Sequence, residues 1–180
     1  LPSCDGANGD VAQTYSDIPA SVGRRIQIAW MRGGRYPGMP FNQQMSFPRV
    51  LTLRKTPEGV RLFFEPIGEI AALRTETREW RGLALAPGKN PLAEFQGELW
   101  DIEADLEPGS ASETGFVVRG ARIAYDAEAR ELRTPGGAAP LAPEDGRIAL
   151  RLLVDRTSIE VFAGGGLRLI CFCFLPDPAD

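Results

Sequence analysis

The sequence contains no histidine among its 180 residues, and that absence removes every Ser-His or Cys-His arrangement by which a nucleophile is commonly activated. Cysteine is scarce and odd in number, at three. Two of these, Cys171 and Cys173, alternate along one apolar stretch and share a strand face. Neighbours of that kind seldom pair, and a zinc site would need further ligands, so they read as buried thiols. No metal and no cofactor is expected. No apolar run approaches the roughly 18 residues that cross a bilayer, so no membrane partner is expected. Positive charge is not in excess: 20 Lys+Arg stand against 24 Asp+Glu, a net charge of −4. That leaves no electrostatic footprint for a phosphate backbone, and nucleic acid is not an expected partner.

What the chain does have is enough apolar material to fold, at 43% hydrophobic against 24% charged, and a pattern that repeats every two residues. Ile26, Ile28 and Trp30 alternate with Arg25, Gln27 and Ala29. Leu51 and Leu53 alternate with Thr52 and Arg54, the turn Thr56-Pro57-Glu58-Gly59 follows, and Val60, Leu62 and Phe64 resume the pattern. With shorter candidates at Ala12 to Ile18 and Ser46 to Val50, residues 12 to 65 read as four antiparallel strands, the number in one propeller blade. Between Pro66 and Leu83 the alternation stops, and Ile70 and Leu73 allow one or two helical turns.

Alternation returns from Trp80 onward. Trp100, Ile102, Ala104 and Leu106 interleave with Asp101, Glu103, Asp105 and Glu107, an apolar face backed by an acidic one that reads as solvated. Phe116 to Arg119 and Ala121 to Tyr125 continue the series, Asp126 to Arg130 is a polar turn, and Pro135-Gly136-Gly137 opens a loop to Gly146. Ile148 to Val154, a turn at Asp155 to Thr157, Ile159 and Val161, and Leu167 to Phe174 complete it. The expected class is all-β: an antiparallel β-sandwich over residues 83–180, a connector at 67–82, and a four-stranded, propeller-blade-like sheet with an N-terminal extension over 1–66.

Two long blocks carry a resemblance. Gln13 to Ile18, Gly23 to Met31, Met39-Pro40-Phe41-Asn42-Gln43-Gln44-Met45-Ser46-Phe47-Pro48-Arg49 and Leu51-Thr52-Leu53 resemble the last propeller blade of glycoside hydrolase family 32, which contains levanases, inulinases and invertases. Asp101-Ile102-Glu103-Ala104, Ile123-Ala124-Tyr125-Asp126 and Leu153 to Phe162 resemble its C-terminal β-sandwich. The resemblance implies a retaining β-fructosidase parent, in which one carboxylate attacks and a carboxylic acid protonates the leaving oxygen. In the family these groups belong to Asn-Asp-Pro, Arg-Asp-Pro and Glu-Cys motifs, none of which occurs here. Asp177-Pro178 follows the last strand and is no substitute. Asp155 and Glu160 fall on a structural hairpin with no evident apolar pocket to raise either pKa, and Arg156 is near enough to pair with a carboxylate. No catalytic residue is expected in the chain.

The resemblance places Trp30, Asn42, Gln43 and Gln44 at the border of the fructosyl pocket, where an aromatic face stacks on a sugar and amides bracket hydroxyls. Packing of Trp30 and loop capping by the amides is the competing account. Ile26, Ile28, Leu51, Leu53, Leu62 and Phe64 would expose an apolar patch without neighbouring blades. The expected partners are therefore a homo-oligomer or a complementing propeller chain, unless the blade folds onto its own sandwich, together with a fructose-containing saccharide. The alternative is a stand-alone, lectin-like fructan-binding module, for which Trp80, Tyr36 and Tyr15 are the loosest aromatics. Family habit favours an extracytoplasmic location.

Overall fold

The computed structural model describes residues 4–9 and 11–177, and its regular structure is almost wholly antiparallel β. Strands β1 (Ala12–Thr14), β2 (Arg25–Met31), β3 (Gln44–Met45), β4 (Arg49–Thr56) and β5 (Gly59–Pro66) form the first sheet, in the order β1-β2-β4-β5 with β3 paired to β2. The expected four strands thus gain a two-residue fifth. The β4–β5 hairpin turns at Pro57–Glu58, where Thr56 Oγ1 donates to the Gly59 carbonyl at 2.8 Å and Gly59 takes φ +106°, a conformation that glycine adopts freely. A short 3-10 helix over Gly68–Leu73 follows and buries Ile70.

The next strand begins only at Trp100; residues 74–99 hold no strand, so the alternation expected from Trp80 does not become one. Strands β7 (Glu113–Val118), β8 (Ala121–Asp126), β9 (Glu131–Thr134) and β10 (Gly137–Pro140) make one sheet of the sandwich. Strands β6 (Trp100–Leu106), β11 (Ile148–Asp155), β12 (Ser158–Ala163) and β13 (Arg168–Cys173) make the other, in the order β13-β12-β11-β6. The loop expected from Pro135 to Gly146 contains β10, which pairs Gly137 with Thr134 and Pro140 with Glu131. Gly-Ala-Ala-Pro has little strand propensity of its own, and the hairpin is held by burial of Ala139 and Leu141 beneath it.

The sandwich core lies between these two sheets. Ile159, Val161 and Ala163 of β12 point into it beside Leu150, Leu152, Val154, Ile170 and Phe172, and Ile123, Tyr125 and Leu132 close it from the other sheet. The alternate positions do not face water. Phe162, Leu153, Leu169 and Cys171 join Met31, Phe64 and Ile70 in a second core, with Leu51 and Leu62 packed against it. The β13-β12-β11-β6 sheet is therefore the middle of three layers, and every residue of β12 is buried. Each large side chain buried on this second face contributes about 1.5–3 kcal/mol. The β12–β13 turn reaches the first sheet as well: Phe64 N–H donates to the Gly166 carbonyl at 2.9 Å, and a Cβ on Gly166 would lie 2.2 Å from Phe64 O.

This corrects three expectations. The apolar blade residues are not one exposed patch, because Leu51, Leu62 and Phe64 pack on the sandwich, Ile26 and Ile28 lie half-buried on the opposite face, and Leu53 stays exposed. Tyr36 is not a loose aromatic but buried at 2% exposure. Glu160 does not lack an apolar setting that raises its pKa; it is wholly buried, and burial raises its carboxyl to about 7.

Candidate functional site

Strand register sorts the candidate sugar-binding residues. Trp30 opposes Met45, and Met31 opposes Gln44, so Trp30 and Met45 share one face of the first sheet while Met31 and Gln44 share the other. Trp30, Met45 and Tyr15 are exposed, at 37%, 50% and 45%. Gln44 instead faces the sandwich. Its Oε1 accepts from Tyr36 Oη and from Thr157 Oγ1, each at 2.7 Å, and its Nε2 donates to Ser158 Oγ at 2.6 Å. A side-chain amide with three such bonds is committed to holding two sheets together. Asn42 is exposed at the end of the loop before β3. Gln43 adopts φ +66° and buries its Oε1 without a hydrogen-bond partner among the described residues. The structure thus keeps Trp30 and Gln44 on opposite faces, with Asn42 and Gln43 beside them at the loop end.

Beneath this face lies a polar cluster that the sequence did not announce. Arg49, fully buried on β4, donates from Nε to Gln27 Oε1 at 2.9 Å and lies with its guanidinium 5.4 Å from the Phe64 ring centre. Its Nη1 stands 3.8 Å from Glu160 Oε2 and 3.7 Å from Cys171 Sγ. The other Glu160 oxygen accepts the Phe47 N–H at 2.6 Å, and Cys171 Sγ donates to Oε2 at 3.7 Å. Burial pushes the Glu160 carboxyl up to about 7 against the opposing pull of the Phe47 amide and Arg49. The neighbouring Cys171 lowers the Cys4 thiol to about 6 against its burial, with help from the Gly6 amide and Arg49, whereas Cys4, burial and the Glu160 carboxyl push Cys171 up. The readable signal was the company these residues keep: a charge at position 160 between Ile159 and Val161, with Phe162 and Leu153 also at outward positions.

A buried carboxyl near neutrality has the ionisation of a general acid, but Glu160 has no exposed surface through which a glycoside would approach it. Asp155, its suggested companion, accepts the Arg156 N–H at 2.8 Å, and the Arg156 guanidinium pairs with Glu98. The acidic face of β6 is also engaged. Burial alone would raise Asp101, but hydrogen bonds from Arg151 and Arg74 outweigh it and hold its pKa below the usual value. Arg74 also reaches Glu103, and Arg147 reaches Glu107. Two surface hollows, one edged by Arg119, Phe174 and Asp177 and one by Glu113 and Phe116, each hold a single carboxylate, where a retaining glycosidase needs two.

A family model described as glycosyl hydrolases family 32 C terminal matches residues 69–179. The levanase of Bacillus subtilis (strain 168) is 34% identical over 194 residues, covering 92% of this chain and 29% of the levanase. The chain therefore spans under a third of the length of that relative. Among solved structures, the exo-inulinase from Aspergillus awamori superposes with a TM-score of 0.86 at 20% identity, over 97% of this chain and 39% of that one. The β-fructofuranosidase from Schwanniomyces occidentalis complexed with fructosyl-erythritol gives 0.74 at 17% identity, over 97% and 43%. These likenesses agree with the three-layered β architecture.

Proposed function

Because the chain belongs to glycosyl hydrolase family 32, through that family's C-terminal region, we propose that it is the non-catalytic C-terminal portion of a fructan hydrolase. Its first sheet closes a catalytic propeller supplied by the rest of the polypeptide or by a complementing chain. The observation that carries this is the asymmetry of the first sheet. One face is buried on the sandwich, whereas the other, on which Arg54 shields Phe63, leaves Trp30 and Met45 exposed beside half-buried Ile26, Ile28 and Val50. An apolar sheet face of that kind is stable only when covered, and a chain that spans 29% of a levanase leaves ample polypeptide to cover it.

On this reading Trp30, Asn42 and Gln43 border the fructosyl site and Gln44 fixes their loop to Thr157 and Ser158. Trp30 supplies a stacking face, and the unpartnered Gln43 carbonyl is an acceptor for a donor brought by the covering layer or the sugar. The substrate class is a β-linked fructose oligomer or polymer, in keeping with the names of the relatives. The test compares the purified chain with the full polypeptide for fructose released from levan, inulin and sucrose. Release by the full polypeptide alone is expected. Release by the isolated chain that disappears on substitution of one of its own Asp or Glu residues would overturn the proposal, and saturable binding of these sugars without turnover would favour a binding module instead.

A further inference from the structure

We propose that Cys4 and Cys171 are a disulfide-forming pair, a modification site that ties the segment before the first sheet to the last strand of the sandwich. The backbone on both sides of the pair is already fixed. Asp5 N–H donates to the Leu169 carbonyl at 2.6 Å, Asn8 N–H to the Cys171 carbonyl at 3.3 Å, and Cys173 N–H to Asn8 Oδ1 at 2.8 Å, so the segment runs along the edge of β13. It lies so close that a Cβ on Gly6 would sit 2.4 Å from the Cys171 oxygen. Both cysteine side chains lie in the second core, at 6% exposure for Cys4 and 1% for Cys171, close enough to perturb one another's ionisation. Cys173 shares the strand face, but its Sγ donates to the Met31 carbonyl at 4.0 Å and lies beside Tyr36 and Gly34.

The surroundings supply what thiol–disulfide exchange requires. Cys4 is the less buried of the pair, its Sγ accepts the Gly6 N–H at 3.4 Å, and Arg49 lies close enough to favour its thiolate. With a low-molecular-weight disulfide such as oxidised glutathione as oxidant, the Cys4 thiolate attacks one sulfur and releases one glutathione thiolate, leaving a mixed disulfide on Cys4. Cys171 then passes its proton to Glu160, towards which its thiol already points at 3.7 Å, and attacks Cys4 Sγ. The second glutathione leaves as thiolate and takes up that proton. Two protein thiols are oxidised and one glutathione disulfide is reduced.

The experiment equilibrates the purified chain with a graded ratio of oxidised to reduced glutathione, traps free thiols by alkylation, and maps the peptides by mass. A linked Cys4–Cys171 peptide is expected, with Cys173 alkylated, together with a melting temperature about 5–10 °C higher than in reductant, since the link closes most of the chain into a loop. Cys4→Ser abolishes both effects and Cys173→Ser preserves both. The Cys173→Ser chain carries the mapping alone if Cys4→Ser does not fold. Three alkylated cysteines after oxidation, a stable glutathione adduct at Cys4, or a link through Cys173 would each overturn the proposal.

Discussion

Strands β12 and β4 each lie between two neighbours in an antiparallel sheet, yet their surroundings differ. All six residues of β12 are buried, because its odd-numbered side chains enter the sandwich core and its even-numbered ones enter the core shared with the first sheet. In β4, Arg49 and Leu51 are turned to the sandwich, whereas Val50 and Thr52 stand on the other face, where Arg54 lies over Phe63 while Trp30 and Met45 of the neighbouring strands are exposed. The middle sheet is packed on both faces, whereas the first packs one face on the sandwich and leaves Trp30 and Met45 of the other exposed.

The comparison breaks first at Arg49. Arg49→Ala strips a fully buried carboxyl of its cation, and a loss of about 3–5 kcal/mol is expected in chemical denaturation; a loss below ~1 kcal/mol would mean that the two sheets are not truly joined there. Leu153→Ala, on the outward side of β11, should cost about 2–4 kcal/mol, a core value where a surface value would be expected of a two-layer sandwich.

Glu160 sharpens the same contrast through pH. Its carboxyl, raised to about 7 from 4.5 in the fold, holds a proton that the unfolded chain has already released between those values. Stability therefore falls as pH rises from 4.5 through 7, by about 2–3 kcal/mol, and is whole below 4.5. Cys4, lowered to about 6 from 9.0, acts in the opposite sense but only above pH 6, so the window below 6 isolates Glu160. Denaturation midpoints of the Glu160→Gln chain should stay level across that window while those of the parent fall as pH rises; a parent that gains stability would contradict the burial. Arg74→Ala, which removes the partly exposed Arg74 from Asp101 and Glu103 while Arg151 still pairs with Asp101, should cost at most about 1 kcal/mol. Met45→Ser on the uncovered face should change the stability of the chain alone by no more than about 0.5 kcal/mol, while lowering activity in the full polypeptide.

Much of this architecture was legible in the residues. Trp100 to Leu106 forms the strand its alternation predicts, Thr56 to Gly59 makes the predicted turn, and the hairpin around Asp155 to Thr157 lies where expected. β10 was not legible, because Gly-Ala-Ala-Pro pairs through its place beside β9 and not through propensity. The second core was hidden for a different reason. Ser158 and Glu160 on alternate positions look like a solvated face, and only Phe162 and Leu153 on the same side hint that water is absent. At the candidate site, the family resemblance pointed to Trp30, Asn42, Gln43 and Gln44 together and their residue types suited the role, but neither reports facing. Only the pairing of Trp30 with Met45 reveals that Gln44 serves the sheet junction.

The contact between the Gly166 turn and the Phe64 backbone bears on how such a protein can be cut and rejoined. A seam in the irregular segment after the 3-10 helix looks convenient along the chain, yet it would part Phe64 from Gly166, Arg49 from Glu160 and Gln44 from Ser158 at a stroke. Grafting the terminal region onto another hydrolase should therefore carry the first sheet as cargo, with the splice placed ahead of Cys4, so that donor and recipient exchange a finished junction and never half of one.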